Sequence, residues 1–447
     1  MVEVRISSGV LGGQWESDVA VFRGIPYAAP PIGANRFAAP QPTEPWDGVR
    51  PALAFGPPVP QSPFHGGEDW LTVNVWSPDL GAAALPVMVW IHGGGYMIGS
   101  SSRPEYDGGN LARDGRVVVV TLNYRLGAEG FASFPGAPPN RGLLDQVAAL
   151  EWVRDNIAAF GGDPARVTVF GESAGGGSVA ALLAMPRAAG LFHRAIAQSV
   201  PGTFFSPELA ADIAASLDAD ADPAQLVAAV DALTPQARWG LAADRSILFA
   251  PVVDGDILPA TPWEARTSAD VALLAGHTRD EHRLFTAIAG PATGALARFA
   301  PSADAYRDAF PGADLDELVL SDWLFRMPSL HLADAHRGPT WFYELTWAAP
   351  VLGACHGLDV PLVFGNLTSN EPAMLLGEVT PEVADLSARM RRAWTAFATT
   401  GDPGWPLCTQ DERLTRIFDM PDAVTPYPEQ ASRKIWRKHT FAPLRLE

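Results

Sequence analysis

The run Gly171-Glu172-Ser173-Ala174-Gly175 has the residue types and spacing of a serine raised on a tight turn. Upstream, Val167, Val169 and Phe170 read as a short buried strand; downstream, Val179 to Leu183 read as the body of a helix. A serine at the apex of strand, turn and helix holds its hydroxyl clear of the sheet, and this geometry tolerates only small residues two positions either side. Gly171 and Gly175 meet that demand. A helix beginning at the serine also turns its unpaired N–H groups toward negative charge developing on a bound carbonyl oxygen. Ser173 is therefore a candidate nucleophile. In a chain with 42 glycines the pentapeptide alone could be an ordinary turn, so its partners elsewhere decide the reading.

Such a serine needs oxyanion donors, a base and an acid. His92-Gly93-Gly94-Gly95-Tyr96 follows a buried strand that begins at Val87. Consecutive glycines there let backbone N–H groups face a cavity without obstruction by side chains. Gly94 and Gly95, with the N–H of Ala174, are the predicted donors. Of nine histidines, only His356 follows both the serine and a strand in a short loop of small residues, Gly353-Ala354-Cys355-His356-Gly357. It is the predicted base. The acid belongs at a strand end between serine and histidine, where it accepts the imidazole's other N–H. Residues 271–275 read as a strand running into Thr278-Arg279-Asp280-Glu281, and spacing does not separate Asp280 from Glu281. Asp254 is a third choice that a turn explains equally well. His277 and His282 are five apart, as are His331 and His336. That spacing does not put two rings on one helix face, and neither metal nor cofactor is expected.

These residues require a scaffold, and the apolar pattern supplies one. Strands are predicted at 71–76, 87–91, 117–122, 167–170, 195–199, 271–275 and 341–345, with the clearest helix at 142–157. Alternation of strand and helix predicts an α/β chain with a largely parallel sheet covered on both faces. Val2-Val4-Ile6 and Val19-Val21 suggest an antiparallel hairpin at a sheet edge. Residues 24–61 are dense in proline and glycine, but Tyr27, Phe37 and Trp46 argue for an ordered coat packed on the body. Segments 206–233, 303–337 and 381–399 look helical and are expected to cap the C-terminal edge of the sheet.

Composition excludes several functions. No apolar run approaches the ~20 residues of a spanning helix, so no membrane partner is expected. A net charge of −18, with Lys434 and Lys438 the only lysines, opposes a surface that tracks phosphates, and nucleic acid is excluded as partner. The acidic stretch 212–222 reads as a solvated face. Glu3 and Arg5 interrupt any signal-peptide core, and Cys355 and Cys408 are too few for a disulfide framework. A cytoplasmic protein, monomer or homodimer, is expected.

Taken in order, the motifs resemble those of the type B carboxylesterases, the serine-esterase family that also includes the cholinesterases, within the α/β-hydrolase fold. The resemblance extends almost end to end. It is carried by Phe22 to Ala28, Glu68 to Trp76, His92 to Gly95, Asn123-Tyr124-Arg125, Gly142 to Gln146, Phe160 to Pro164, the Ser173 turn, Arg279-Asp280-Glu281 and Leu358 to Gly365. It implies one hydrolase domain over 1–447, with cap insertions at roughly 201–250 and 285–337. It further implies Ser173 as nucleophile, Glu281 rather than Asp280 as acid, His356 as base, and Glu172 as a buried support. Arg36 and Arg125 resemble the family's buried ion-pair positions, with Glu68 and Asp322 as the expected partners. Two departures stand out. Trp70 occupies a position where the family often has cysteine, and His282 follows the acid where glycine is common.

The resulting expectation is cleavage of a small carboxylic ester through an acyl-enzyme. Amide, carbamate or biosynthetic-pathway hydrolysis is the alternative. A non-catalytic interaction protein on the same fold is disfavoured by the complete triad. Tyr96, Met97, Phe204, Phe205 and Phe285 are expected to line an apolar slot for uncharged acyl groups of short to medium length.

Overall fold

The computed structural model describes residues 2–265 and 267–447. The strands in chain order are β1 (Val2–Ile6), β2 (Gly9–Glu16), β3 (Val19–Pro26), β4 (Val49–Pro51), β5 (Thr72–Ser77), β6 (Leu85–Ile91) and β7 (Val118–Leu122). They continue as β8 (Gly162–Glu172), β9 (Arg194–Gln198), β10 (Ala272–Thr278), β11 (Thr340–Leu345), β12 (Leu414–Phe418) and β13 (Ala423–Pro426). Among the described residues they form one thirteen-stranded sheet in the order β1-β2-β3-β5-β7-β6-β8-β9-β10-β11-β12-β13, with β4 beside β2. From β7 through β12 neighbouring strands run parallel; the pairs from β1 to β7 along the sheet and the β12/β13 pair are antiparallel, while β4 joins β2 in parallel.

All seven strands expected from the apolar pattern are present, because central parallel strands are buried on both faces and read as nearly continuous apolar runs. In β6, Val87, Val89 and Ile91 enter one core while Met88 and Trp90 enter the other. Helix Arg141–Asn156 brings Leu143, Val147, Leu150 and Val153 to the first core. Helix Pro381–Thr400 covers the opposite face with Leu386, Met390, Trp394 and Phe397. This corrects the expectation that residues 381–399 cap the sheet edge. Their apolar side chains recur at helical spacing, and the broad face of the sheet is the surface that buries them.

The expected coat is ordered, and its aromatic residues fasten it. Tyr27 donates to the Asn123 carbonyl at 2.8 Å, the Trp46 ring N–H donates to the Val10 carbonyl at 2.9 Å, and Phe37 meets Phe134 edge-on at 5.0 Å. The strands that the sequence reading passed over, β2, β4, β12 and β13, sit toward the sheet edges, where one face meets solvent and the pattern weakens.

The expected ion pairs are replaced by others. Arg36 pairs with Glu129 at 2.6 Å, and Glu68 is exposed. Arg125 forms a bidentate, fully buried pair with Asp145 at 2.7 and 2.8 Å. Asp322 instead lies with Arg326, one helical turn away, and accepts from the Tyr306 hydroxyl at 2.6 Å. The first turns of helix Arg141–Asn156 bring Asp145 to Arg125, a proximity that no spacing predicts. Removing one member of such a pair leaves an uncompensated charge in the core. Asp145→Asn should therefore cost about 3–5 kcal/mol in urea unfolding. Removal of Asp155 from its half-exposed pair with Arg154 should cost less than about 1 kcal/mol.

Candidate active site

Strand β8 ends at Glu172, and Ser173 follows with φ 57° and ψ −125° before helix Ala174–Ala184 begins. A non-glycine residue in that conformation is strained and is held only when its surroundings overdetermine it. Here they do. A Cβ on Gly175 would stand 2.0 Å from the Ile91 carbonyl oxygen, and one on Gly171 would stand 2.6 Å from the Gly175 backbone. The Ser173 N–H donates to the Gln198 carbonyl at 3.0 Å, and its own carbonyl accepts from the Gly177 N–H at 2.8 Å. The turn is thus clamped between β6, β9 and its own helix.

The glycine run after β6 turns sharply. Gly94 and Gly95 have φ of 113° and 61°, and Tyr96 follows at 61°. Any Cβ on Gly94 would collide with the Ile98 carbonyl. Among the described residues, no group accepts a hydrogen bond from the N–H of Gly94, Gly95 or Ala174. The loop is supported by His92, whose Nδ1 donates to the Gly93 carbonyl at 2.8 Å and whose ring stacks on Tyr124 at 4.6 Å. Burial drives the His92 ring down to about 4, so it stays neutral. Tyr124 also donates to the His92 carbonyl at 2.8 Å.

His356 lies in the loop between β11 and helix Asp359–Phe364. Its Nδ1 faces the Glu281 carboxylate at 2.5 Å. Its Nε2 lies 3.1 Å from Glu172, within ion-pair distance but out of line for a hydrogen bond. Phe325, from a π-helical turn at Asp322–Arg326, stacks on the ring at 4.1 Å, and Phe285 packs at 5.2 Å. Burial lowers the proton affinity of His356, but the carboxylates of Glu172 and Glu281 outweigh it and raise the ring above the ordinary imidazole value. Burial likewise raises the Glu172 carboxyl well above the carboxylate range. For Glu281, burial acts upward, yet His356 and the Ser199 hydroxyl prevail and hold it low.

Tertiary structure separates the two neighbouring acids. Glu281 accepts from the Ser199 hydroxyl at 2.6 Å and from the Thr278 N–H at 2.9 Å, leaving its second oxygen for His356. Asp280 accepts instead from the Ala354 N–H at 3.0 Å and pairs with Arg279 and Arg283. It fastens the end of β10 to the histidine loop. Asp254 accepts from the N–H groups of Asp256 and Leu258 at 2.9 and 3.0 Å, as a turn residue does.

Ser173, Ala174, Gly94, Gly95 and His356 line one cavity of about 580 Å³. Tyr96, Met97 and Phe285 line it too. Phe204 and Phe205 do not. Phe204 is buried edge-on against Trp263 at 5.4 Å, and Phe205 bridges Val252 and Leu444 in the core behind. Apolar side chains so close to the turn satisfy the core before they reach the cleft. Their places are taken by Leu248, Phe249, Leu324 and Phe325, from segments with no periodic signature pointing to a site. The sequence reading also missed Ser199, the partner of Glu281, and Arg245 on the cavity wall. His282 is buried beside the acid, its Nε2 2.8 Å from Arg245 and its Nδ1 3.2 Å from the Thr286 hydroxyl. Among the described residues, no group of three His, Cys, Asp or Glu side chains could hold a metal ion.

A serine on a strained strand-helix turn, beside a histidine and an acid at the ends of later strands of a parallel sheet, defines an α/β-hydrolase site. Residues 2–313 and 308–431 match the family described as "Carboxylesterase family". The para-nitrobenzyl esterase of Bacillus subtilis is 40% identical over 477 residues, covering 96% of this chain and 97% of that protein. The phenmedipham hydrolase of Pseudarthrobacter oxydans is 35% identical, covering 91% and 92%. The solved carboxylesterase of Geobacillus stearothermophilus superposes with a TM-score of 0.86 at 36% identity, covering 97% of this chain and 99% of that one. The chain belongs to the carboxylesterase family and is a carboxylic ester hydrolase.

The electrostatics can be read from the ring itself. Followed by NMR, His356 should titrate above ordinary imidazole, and Glu172→Gln should lower its midpoint because a facing negative charge is lost. A midpoint that stays or rises would contradict the assigned cause.

Proposed function

We propose that Ser173 attacks the ester carbonyl while His356 accepts its proton, that the N–H groups of Gly94, Gly95 and Ala174 bind the oxyanion, and that Glu281 orients the ring. The observation that carries this reading is the Glu281 to His356 hydrogen bond of 2.5 Å in the cavity that Ser173 lines. Collapse of the tetrahedral species, with His356 returning the proton to the leaving oxygen, releases the alcohol and leaves an acyl-Ser173. Water deprotonated by the same imidazole attacks the acyl carbonyl and frees the acid. Only neutral His356 can take the serine proton, so kcat/KM rises with pH through its raised titration. Glu281 offsets the imidazolium charge without itself taking the proton.

The substrates are small carboxylic esters with short to medium, uncharged acyl groups, since apolar side chains such as Met97, Leu248, Phe249 and Phe285 surround the serine. Quaternary ammonium esters gain no special advantage. The chain acts as one hydrolase domain over 1–447, its insertions at roughly 201–250 and 285–337 roofing the site. It works in the cytoplasm as a monomer or homodimer, with no nucleic-acid or membrane partner and no cofactor. Cys355 and Cys408 are both free, which suits a reducing compartment. Among the described residues, no helix is long and apolar enough to cross a membrane.

A p-nitrophenyl ester series tests the mechanism. Ser173→Ala should abolish turnover. Glu281→Gln should lower kcat by about a thousand-fold or more, whereas Asp280→Asn should act chiefly on stability. Greater loss of turnover in folded Asp280→Asn would overturn the acid assignment. Across acyl lengths kcat/KM should peak at short to medium chains; a maximum at long chains with interfacial activation would overturn the proposed preference.

A further inference from the structure

Two buried arginines have their donors taken up within the protein. Arg125 has both oxygens of Asp145 and the Ala38 carbonyl, and Arg141 donates to the carbonyls of Ala128, Glu129, Ala132 and Pro138. Arg245 differs. It is half-buried on the wall of the Ser173 cavity, and among the described residues its one hydrogen bond is to the neutral ring of His282, at 2.8 Å. Its neighbour Asp244 pairs with Arg298 instead. Burial holds the His282 ring down at about 4, and the Arg245 charge presses it the same way. With Nδ1–H directed to the Thr286 hydroxyl, the lone pair on Nε2 accepts from Arg245. The histidine that stands where the family commonly has glycine therefore aims a guanidinium without neutralising it.

A half-desolvated cation on the wall of a mostly apolar cavity lacks the carboxylate partner that Arg125 and Arg326 have. A guanidinium fork is matched in shape and charge by a carboxylate. We propose that Arg245, positioned by His282, binds a carboxylate carried by the substrate apart from the ester that reacts, so that the enzyme selects esters of carboxylated molecules. This rests on the esterase reading of Ser173 and adds a specificity determinant to it. Either half of the ester could carry the carboxylate, and the test has one arm for each.

Each arm is a pair of substrates that differ in charge alone. On the alcohol side these are the butyrate esters of 3-hydroxybenzoate and 3-hydroxybenzamide. On the acyl side they are the p-nitrophenyl esters of glutarate and glutaramate. The readout is the ratio of kcat/KM for the anionic to the neutral member, which does not depend on how much enzyme is folded. In at least one arm Arg245→Met should lower that ratio by about ten- to hundred-fold, and Arg245→Lys should restore part of it. Arg307→Met, which removes an exposed arginine paired with Asp304, should leave both ratios alone. Ratios within about two-fold of wild type in both arms, or an equal fall in Arg307→Met, would overturn the proposal. A fall in the acyl arm would support it while displacing the uncharged-acyl preference. Failure of the wild-type protein to turn over the neutral esters would instead strike the esterase reading itself.

Discussion

The structure depends on one close approach, where the turn at Ser173 is pressed against the end of β6. Gly175 leaves no more than 2.0 Å between a would-be Cβ and the Ile91 carbonyl, so any side chain there would part β6 from β8 or unwind the turn. The approach fixes three things together. It maintains the positive φ of Ser173, starts helix Ala174–Ala184 directly after the serine, and brings the glycine loop after Ile91 alongside it. Strain at this point persists because two central strands and a packed helix enforce it from different directions.

Around that geometry the protein concentrates buried negative charge. Glu172 and Glu281 face opposite nitrogens of His356, and Asp359 lies behind them, accepting from Tyr343 at 2.6 Å and Gln198 at 2.9 Å. Burial pushes the Asp359 and Glu172 carboxyls toward their neutral forms, whereas Glu281 is held ionised by the imidazole and the Ser199 hydroxyl. Both oxygens of Glu281, the carboxylate that must support a positive ring, receive donors, and a charged His356 in turn lowers the proton affinity of the facing Glu172. The same low dielectric that strains the neighbouring acids strengthens the Glu281 to His356 interaction.

The segments that wall the cavity obey looser rules than the sheet. Residues that seal the cavity, such as Leu248, Phe249 and Phe325, come from short irregular stretches, and the π-helical turn at Asp322–Arg326 sets Phe325 on the histidine. Such turns are anchored from outside the cavity, here by the Asp322, Arg326 and Tyr306 contacts. Cavity shape can therefore change by substitution in these segments without disturbing the sheet that holds Ser173 and His356. Arg245 belongs to this wall, and His282 holds it by a hydrogen bond.

By itself the sequence determined the α/β architecture, the serine turn, the glycine loop and the histidine, because each is a local demand. A buried strand needs an apolar run, and a strained turn needs flanking glycines. Spacing alone left Asp280 and Glu281 equal, and resemblance to a family chose between them. What the tertiary structure decided was every relation across the chain. It gave Glu281 to His356 and Asp280 to the Ala354 backbone, exchanged Asp322 for Asp145 as the partner of Arg125, and turned Phe204 and Phe205 into core. These outcomes depend on which surfaces meet when distant segments pack. Neighbours in space that are 75 residues apart, as Glu281 and His356 are, leave no periodic trace in the chain.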